Sequence, residues 1–313
     1  MQFRVGSQLV TVNSASRDAL FAAVAARLAA RQGFALATLN LDHLVKLRRS
    51  ARFRDAYAAQ DLVVADGHPV IWLSHLARSP VQLLPGSEIV VPLAAEAARA
   101  GVPVALVGTT GPALQAAATV LRRVVPGLDV AFCFAPPMGF DVEGVSADDL
   151  LADLSRRGIG LCFVALGAPK QEILAARGRA LAPDVGFVSV GAGLDFLAGT
   201  QVRAPLWVRK LSLEWLWRAG QSPSRMIPRY AACAALLPVL AVDAIRLRGR
   251  SWLTCIRSIL ARARATGQAD SRLPRTPRRT CPTQKSTPKP NRRAAPTAPP
   301  VPDRPAPAAA PKA

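Results

Sequence analysis

One theme repeats through the first 200 residues and constrains the fold more than any single motif does. A short apolar run meets a turn of Gly, Asn, Asp or Thr, and a helical pattern follows. Phe34–Ala37 runs into Thr38-Leu39-Asn40, with a helix from Asp42, and Asp61–Ala65 runs into Asp66-Gly67, with an apolar helix through Leu76. Val102–Val107 runs into Gly108-Thr109-Thr110-Gly111, where Pro112 suits the first turn of a helix over Ala113–Arg123. Asp129–Phe134 and Leu161–Leu166 are further strand candidates, and Gly186–Val190 runs into Gly191-Ala192-Gly193. Strands alternating with helices predict an α/β fold, a Rossmann-like, mostly parallel sheet flanked by helices. Ligands of such sheets bind beyond the carboxyl ends of the strands. The polar residues at those ends are therefore the candidate site: Thr38 and Asn40, Asp66, Thr109 and Thr110, Lys170, Gln171 and Glu172, and Asp195.

The pattern changes after Leu197. Residues 1–200 hold 18 Lys/Arg against 16 Asp/Glu, whereas residues 201–313 hold 22 against 4, so the net charge of +20 belongs almost wholly to the C-terminal third. Trp207–Trp217 and Arg225–Ile245 read as arginine-rich helices, and Arg246–Arg264 mixes arginine with apolar residues in a way that suits a membrane interface or a packed helical hairpin. Ala231–Ala244 is apolar apart from Asp243, but it contains Pro238 and is expected to be too short to span a bilayer. From Ala265, proline, alanine, threonine and basic residues dominate, a composition that cannot bury a core and is expected to be disordered. The predicted organisation is an α/β catalytic domain (1–200), a basic helical appendage that associates with a membrane (201–264) and a disordered tail (265–313).

A basic segment can face nucleic acid, an anionic membrane or a phosphate-bearing substrate. The tail has no Phe, Tyr or Trp after Trp252, so the aromatic interleaving that stacks bases is missing and no nucleic-acid partner is expected. The five cysteines show no CxxC spacing, and the three histidines no HExxH, which argues for a reducing compartment without a disulfide framework or zinc site. Met1–Val12 has a strand pattern and not that of a signal peptide.

Each strand-end turn has two readings. Asp66 before Gly67 could accept a hydroxyl proton as a general base, or could be an ordinary Asp-Gly turn. Gly108-Thr109-Thr110-Gly111 could cradle a phosphate with backbone N–H groups at a helix start, or be a tight strand-to-helix turn. Neither it nor Gly191-Ala192-Gly193 matches the P-loop or the dinucleotide fingerprint. No Asp-x-Asp occurs, so a divalent-metal site lacks support, and a departing diphosphate would need protein cations. Arg203, Arg209, Lys210, Arg218, Arg225 and Arg229 are candidates, because a guanidinium fork matches phosphate oxygens.

Together these segments resemble the WecG/TagA/CpsF family of bacterial glycosyltransferases (glycosyltransferase family 26). The resemblance rests on Thr38-Leu-Asn40, Asp66-Gly67, Pro85-Gly86-Ser87-Glu88, Gly167-Ala-Pro-Lys-Gln-Glu172, the run Gly191 to Gly199, Arg203-Ala-Pro205, Leu213-Glu-Trp-Leu-Trp-Arg218 and Pro223 to Tyr230, in order over about residues 1–240. It implies an inverting transferase that moves a hexose or N-acetylhexosamine from a UDP-sugar to a polyprenyl-diphosphate-linked saccharide, in surface or exopolysaccharide biosynthesis. Asp66 would be the general base, and Thr38, Asn40 and Gln171 would line the donor and acceptor site. No metal or other cofactor would be needed. A C-terminal helical appendage would associate with the inner face of the cytoplasmic membrane, with Arg218, Arg225 and Arg229 closing over the diphosphate.

Two departures from the family pattern stand out. Pro69 replaces the second glycine of Asp-Gly-x-Gly, and Leu83 stands where the family places an arginine, three residues before Gly86-Ser87-Glu88. If the family arginine grips donor or acceptor, this chain needs another cation, and Arg78 is the candidate. Two other functional classes compete with the transferase. A nucleotide-dependent oxidoreductase conflicts with the missing fingerprint glycines, and a non-enzymatic membrane- or nucleic-acid-binding module leaves the polar strand ends unexplained.

Overall fold

A computed structural model describes residues 1–6, 8–201, 204–205, 208, 214–221 and 223–270, without the side chains of Arg218, Gln221, Arg225 and 249–270. Arg203, Arg209 and Lys210, and the side chains of Arg218 and Arg225, therefore lie outside the described residues, as does the tail expected over 265–313 beyond residue 270, whereas residues 265–270 are helical. The chain divides into two compact units, Met1–Leu260 and Ala261–Ala313.

Six strands, β3 (Phe34–Leu39), β4 (Leu62–Ala65), β5 (Val104–Gly108), β6 (Val130–Phe134), β7 (Leu161–Ala165) and β8 (Gly186–Ser189), form one sheet in the order β4-β3-β8-β7-β5-β6. Every pairing in it is parallel. The α/β expectation holds. β1 (Gln2–Val5) and β2 (Gln8–Thr11) add a separate antiparallel hairpin.

Strands buried on both faces should read as unbroken apolar runs, and all six residues of β3 are buried. Phe34 and Leu36 point into one layer, packed against α1 (Arg17–Ala29), α5 (Gly86–Arg99), α6 (Gly111–Val124) and α9 (Gly193–Ala198). Ala35, Ala37 and Leu39 point into the other, against α2 (Leu41–Arg49), α3 (Ala51–Ala58), α7 (Val145–Arg156) and α8 (Lys170–Leu181). Val70 and Leu73 of α4 (His68–Leu76) join that second layer beside the hairpin's Phe3, Val5 and Val10. β3 thus leads into a helix on one face and its neighbour β8 into a helix on the other. Their carboxyl ends form the crevice at which such sheets bind ligands.

Among the described residues, two helices follow the body, α10 (Glu214–Gln221) and α11 (Pro223–Asp270). Cys233, Leu236, Leu240 and Ala244 recur at helical spacing and are buried against α2, α3, α4 and the hairpin. Ile227, Val239, Val242 and Ile245 lie exposed on the same helix. One sequence expectation is corrected here. Met226–Arg248 is long and apolar enough, by length and composition, to cross a membrane. Pro238 does not limit the helix, which runs through both Pro228 and Pro238.

Candidate functional site

The β3–α2 turn brings the first residues to the crevice. Asn40 caps α2, its Oδ1 accepting from His43 N–H at 3.0 Å. Behind the turn, His43 Nδ1 sits 2.7 Å from the Tyr57 hydroxyl, which donates to the Thr38 carbonyl at 3.1 Å. Burial drives the His43 pKa down to about 3, so the ring is neutral at physiological pH. Burial, with Glu172 and Asp66 nearby, pushes the Tyr57 hydroxyl well above its ordinary range, so it remains a donor. This buried network fixes the backbone that presents Thr38 and Asn40.

Asp66 follows β4. Its N–H donates to Leu39 O at 2.8 Å, which ties the β3 and β4 ends together. Gly67 then takes φ +102°, a conformation that favours glycine, and leads into α4. Leu83 forms a parallel bridge with Ala65, and Leu84 N–H donates to Ala65 O at 2.8 Å. The departure at position 83 therefore places an apolar side chain in the wall next to Asp66. Arg78 is exposed and lies outside the cavity, so the sequence candidate for a substitute cation does not reach it.

Thr38, Asn40, Asp66, Gln171 and Arg229 line one cavity of about 690 Å³. Gly67, Pro69, Leu83, Pro85-Gly86-Ser87, Gly191-Ala192-Gly193 and the aromatic side chains of His68, Trp72, Trp215 and Tyr230 complete much of its wall. Trp215 and Tyr230 meet edge to face at 5.9 Å between ring centroids. A second cavity of about 820 Å³ holds Asp195 and shares Asp42, Lys46, Gly167, Gly191, Ala192, Phe196, Glu214 and Arg229 with the first. The two are neighbouring halves of one cleft.

Of the remaining described sequence candidates, Asp195 lines the second cavity and the others line neither. Thr109 and Asp195 come together, but with each other: Thr109 Oγ1 donates to Asp195 Oδ1, and Gln201 Nε2 donates to Oδ2 at 3.3 Å. Thr110 caps α6 through Ala113 N–H at 3.4 Å. Gly108 has φ +124° and stands so close to the Ala165 backbone that a Cβ would meet its carbonyl oxygen at 2.3 Å. Gly108-Thr109-Thr110-Gly111 is thus a tight strand-to-helix turn locked to β7, and it lines neither cavity.

The polar triplet after β7 divides three ways. Lys170 is exposed and donates to Phe140 O at 3.0 Å, outside both cavities. Gln171 is buried, accepts from Gly191 N–H at 3.0 Å through Oε1 and donates to Glu172 Oε1 at 2.8 Å. It lines the cavity while bracing the β8–α9 turn. Glu172 is fully buried beneath it, outside the cavity lining, and burial raises its pKa to about 7 against the pull of the Gln171 hydrogen bond and the Lys46 charge.

Sequence reasoning missed Asp42 and Lys46. Asp42 Oδ2 lies 2.9 Å from Lys46 Nζ and 3.0 Å from Arg229 Nη2, so one carboxylate joins α2 to α11. The signal was present as an Asp-x-x-x-Lys spacing just inside a helix that starts at a strand end. Among the described residues, no group of three or more His, Cys, Asp or Glu is arranged to hold a metal ion.

The cleft therefore combines a carboxylate at a strand end, a polar turn fixed from behind, a cation delivered by a C-terminal helix and aromatic walls. Comparison with known families adds one finding: a family model described as "Glycosyl transferase WecG/TagA/CpsF family" matches residues 7–251.

Proposed function

The chain belongs to the WecG/TagA/CpsF family of glycosyl transferases, and from that premise we propose an inverting transfer from a UDP-sugar to a polyprenyl-diphosphate-linked saccharide. The observation that carries the reading is that Asp66, Thr38, Asn40 and Arg229, from three separate parts of the chain, line one cavity at the β3/β8 crevice. Such a transfer needs a base for the acceptor hydroxyl and positive charge where the diphosphate departs. Asp66 takes the hydroxyl proton as the acceptor oxygen attacks the anomeric carbon from the face opposite UDP. The C1–O bond to the diphosphate breaks, and Arg229 meets the charge that appears on it. A positioned base contributes about 10²–10⁴-fold, and preorganised donors aimed at developing charge add several kcal/mol, on the order of a lost oxyanion-hole donor.

Thr38 and Asn40 hold the sugars by hydrogen bonds, and Trp72, Trp215 and Tyr230 offer ring faces to their C–H surfaces. A lipid-linked acceptor also accounts for the apolar surface around the cleft. Trp215 and Leu216 on α10 and Ile227, Val239, Val242 and Ile245 on α11 are exposed, a combination suited to the cytoplasmic face of a membrane. Each Lys or Arg of the basic segment near an anionic surface adds about 1 kcal/mol.

The test is a UDP-release screen of several UDP-sugars against short lipid-diphosphate-linked saccharides, with and without EDTA. Turnover with one pair, persisting in EDTA, is expected. Turnover only on addition of Mg²⁺ or Mn²⁺ contradicts the metal-independent part, and release with no pair of substrates contradicts the donor and acceptor classes.

A further inference from the structure

We propose that Lys46 is a second diphosphate-binding cation of this cleft, acting beside Arg229; the proposal rests on the transferase reading above. Leu83 leaves the wall beside Asp66 without the positive charge expected there, and Arg78 does not reach it. Among the described residues, Lys46 and Arg229 are the Lys and Arg side chains that line the cavity containing Asp66, and both also line its neighbour. They therefore stand where the two halves of the cleft meet. A diphosphate bridging a sugar in one half and its carrier in the other would lie there.

The local geometry presents Lys46 to a ligand. Its ammonium has three donors. One donates to Ala168 O, 3.1 Å away in the turn after β7, while the ammonium forms an ion pair with Asp42 Oδ2 at 2.9 Å. Donors remain for a ligand oxygen, and the side chain is 39% exposed. Asp42 is only 8% exposed, and its one oxygen is shared between Lys46 and Arg229. That carboxylate holds two cations side by side without matching both charges. Arg229 also keeps its Nε buried with no hydrogen-bond partner among the described residues. Asp42 offers one negative charge to these two cations, and a diphosphate carries enough charge and enough acceptors to bridge both from the open side.

The ligand class is the diphosphate group, which occurs both in the nucleotide donor and in the prenyl-linked acceptor. Calorimetric titration of the full chain with uridine, UDP and farnesyl diphosphate separates these sources. Wild type, Lys46→Ala and Lys46→Arg are compared, with thermal melting to confirm folding. Lys46→Ala is expected to weaken UDP, farnesyl diphosphate or both by about 10- to 100-fold while uridine affinity stays within twofold, and Lys46→Arg to recover most of the loss. The ligand that responds identifies which diphosphate Lys46 grips. Unchanged affinity of Lys46→Ala for both diphosphates, or an equal loss for uridine, overturns the assignment while leaving the transferase reading intact. Failure of the wild type to bind either diphosphate removes that reading and Lys46 with it.

Discussion

Two carboxylates stand at strand ends on the same edge of the sheet, and the structure uses them differently. Asp195, after β8, accepts from Thr109 Oγ1, from Gln201 Nε2 and, at 3.4 Å, from Thr200 Oγ1. Asp66, after β4, shares its cavity with Thr38, Asn40, Arg229 and a wall of Pro69, Trp72 and Leu83. At the Asp195 end, side chains from the β5 turn and from the segment after α9 satisfy the acid, and the product is a rigid corner. At the Asp66 end, the backbone does the tying, through Asp66 N–H to Leu39 O. The carboxylate there is set among groups of the kind that bind sugar. The two aspartates look alike in sequence, and what separates them is their setting: Asp195 is held by Thr109, Thr200 and Gln201, whereas Asp66 shares a cavity with Thr38, Asn40 and Arg229.

The strongest test of that contrast is Asp66→Asn. Turnover is expected to fall about 10²–10⁴-fold, with UDP affinity within about twofold and the melting temperature unchanged. Asn keeps the shape and loses the proton acceptor. Wild-type turnover in this variant would remove Asp66 as the base and erase the distinction between the two acids.

How much of this was legible in the sequence follows the same division. The sheet was readable, because parallel strands buried on both faces leave unbroken apolar runs such as Phe34–Ala37 and Leu161–Leu166. Thr38, Asn40 and Asp66 were readable as well, because strand ends are where the fold exposes polar groups. The Thr109–Asp195 pair was not readable as a pair, since 86 residues separate its members and only the packing of α6 against α9 joins them. Asp42 and Lys46 read as an ordinary helical ion pair until α11 returns with Arg229. Lys170 was placed with Gln171 by adjacency, but successive helical positions point apart. One turns to Phe140 O and the other into the crevice.

A third acid, Glu172, sharpens the contrast through pH. Its folded pKa of about 7 lies above the ordinary value of 4.5, so between those limits the folded state holds more protons than the unfolded one. Stability from this group is present at low pH and is lost as pH rises toward 7, by roughly 3 kcal/mol. His43 acts in the opposite direction. Its pKa, lowered from 6.5 to about 3, makes stability fall as pH drops through that window. The two slopes oppose each other between about pH 4.5 and 6.5, and wild type should show a nearly flat melting profile there. Glu172→Gln removes one slope, so its melting temperature should climb with pH across that interval. A variant profile parallel to wild type would show that Glu172 does not titrate in this way.

The smallest effect belongs to the other end of the cleft. Asp195→Asn swaps one acceptor oxygen for a donor facing Thr109, Thr200 and Gln201, three side chains that now donate to it. Thr109 and Thr200 can rotate their hydroxyls to accept, whereas Gln201 must turn its amide. The expected cost is therefore about 1–2 kcal/mol of stability, read as a lower denaturant midpoint with an unchanged slope. Turnover at saturating substrate should fall less than about tenfold, because no proton in the reaction passes through this group. A loss in turnover matching that of Asp66→Asn would place Asp195 among the reacting groups, and the rigid corner would then have to be a second catalytic carboxylate.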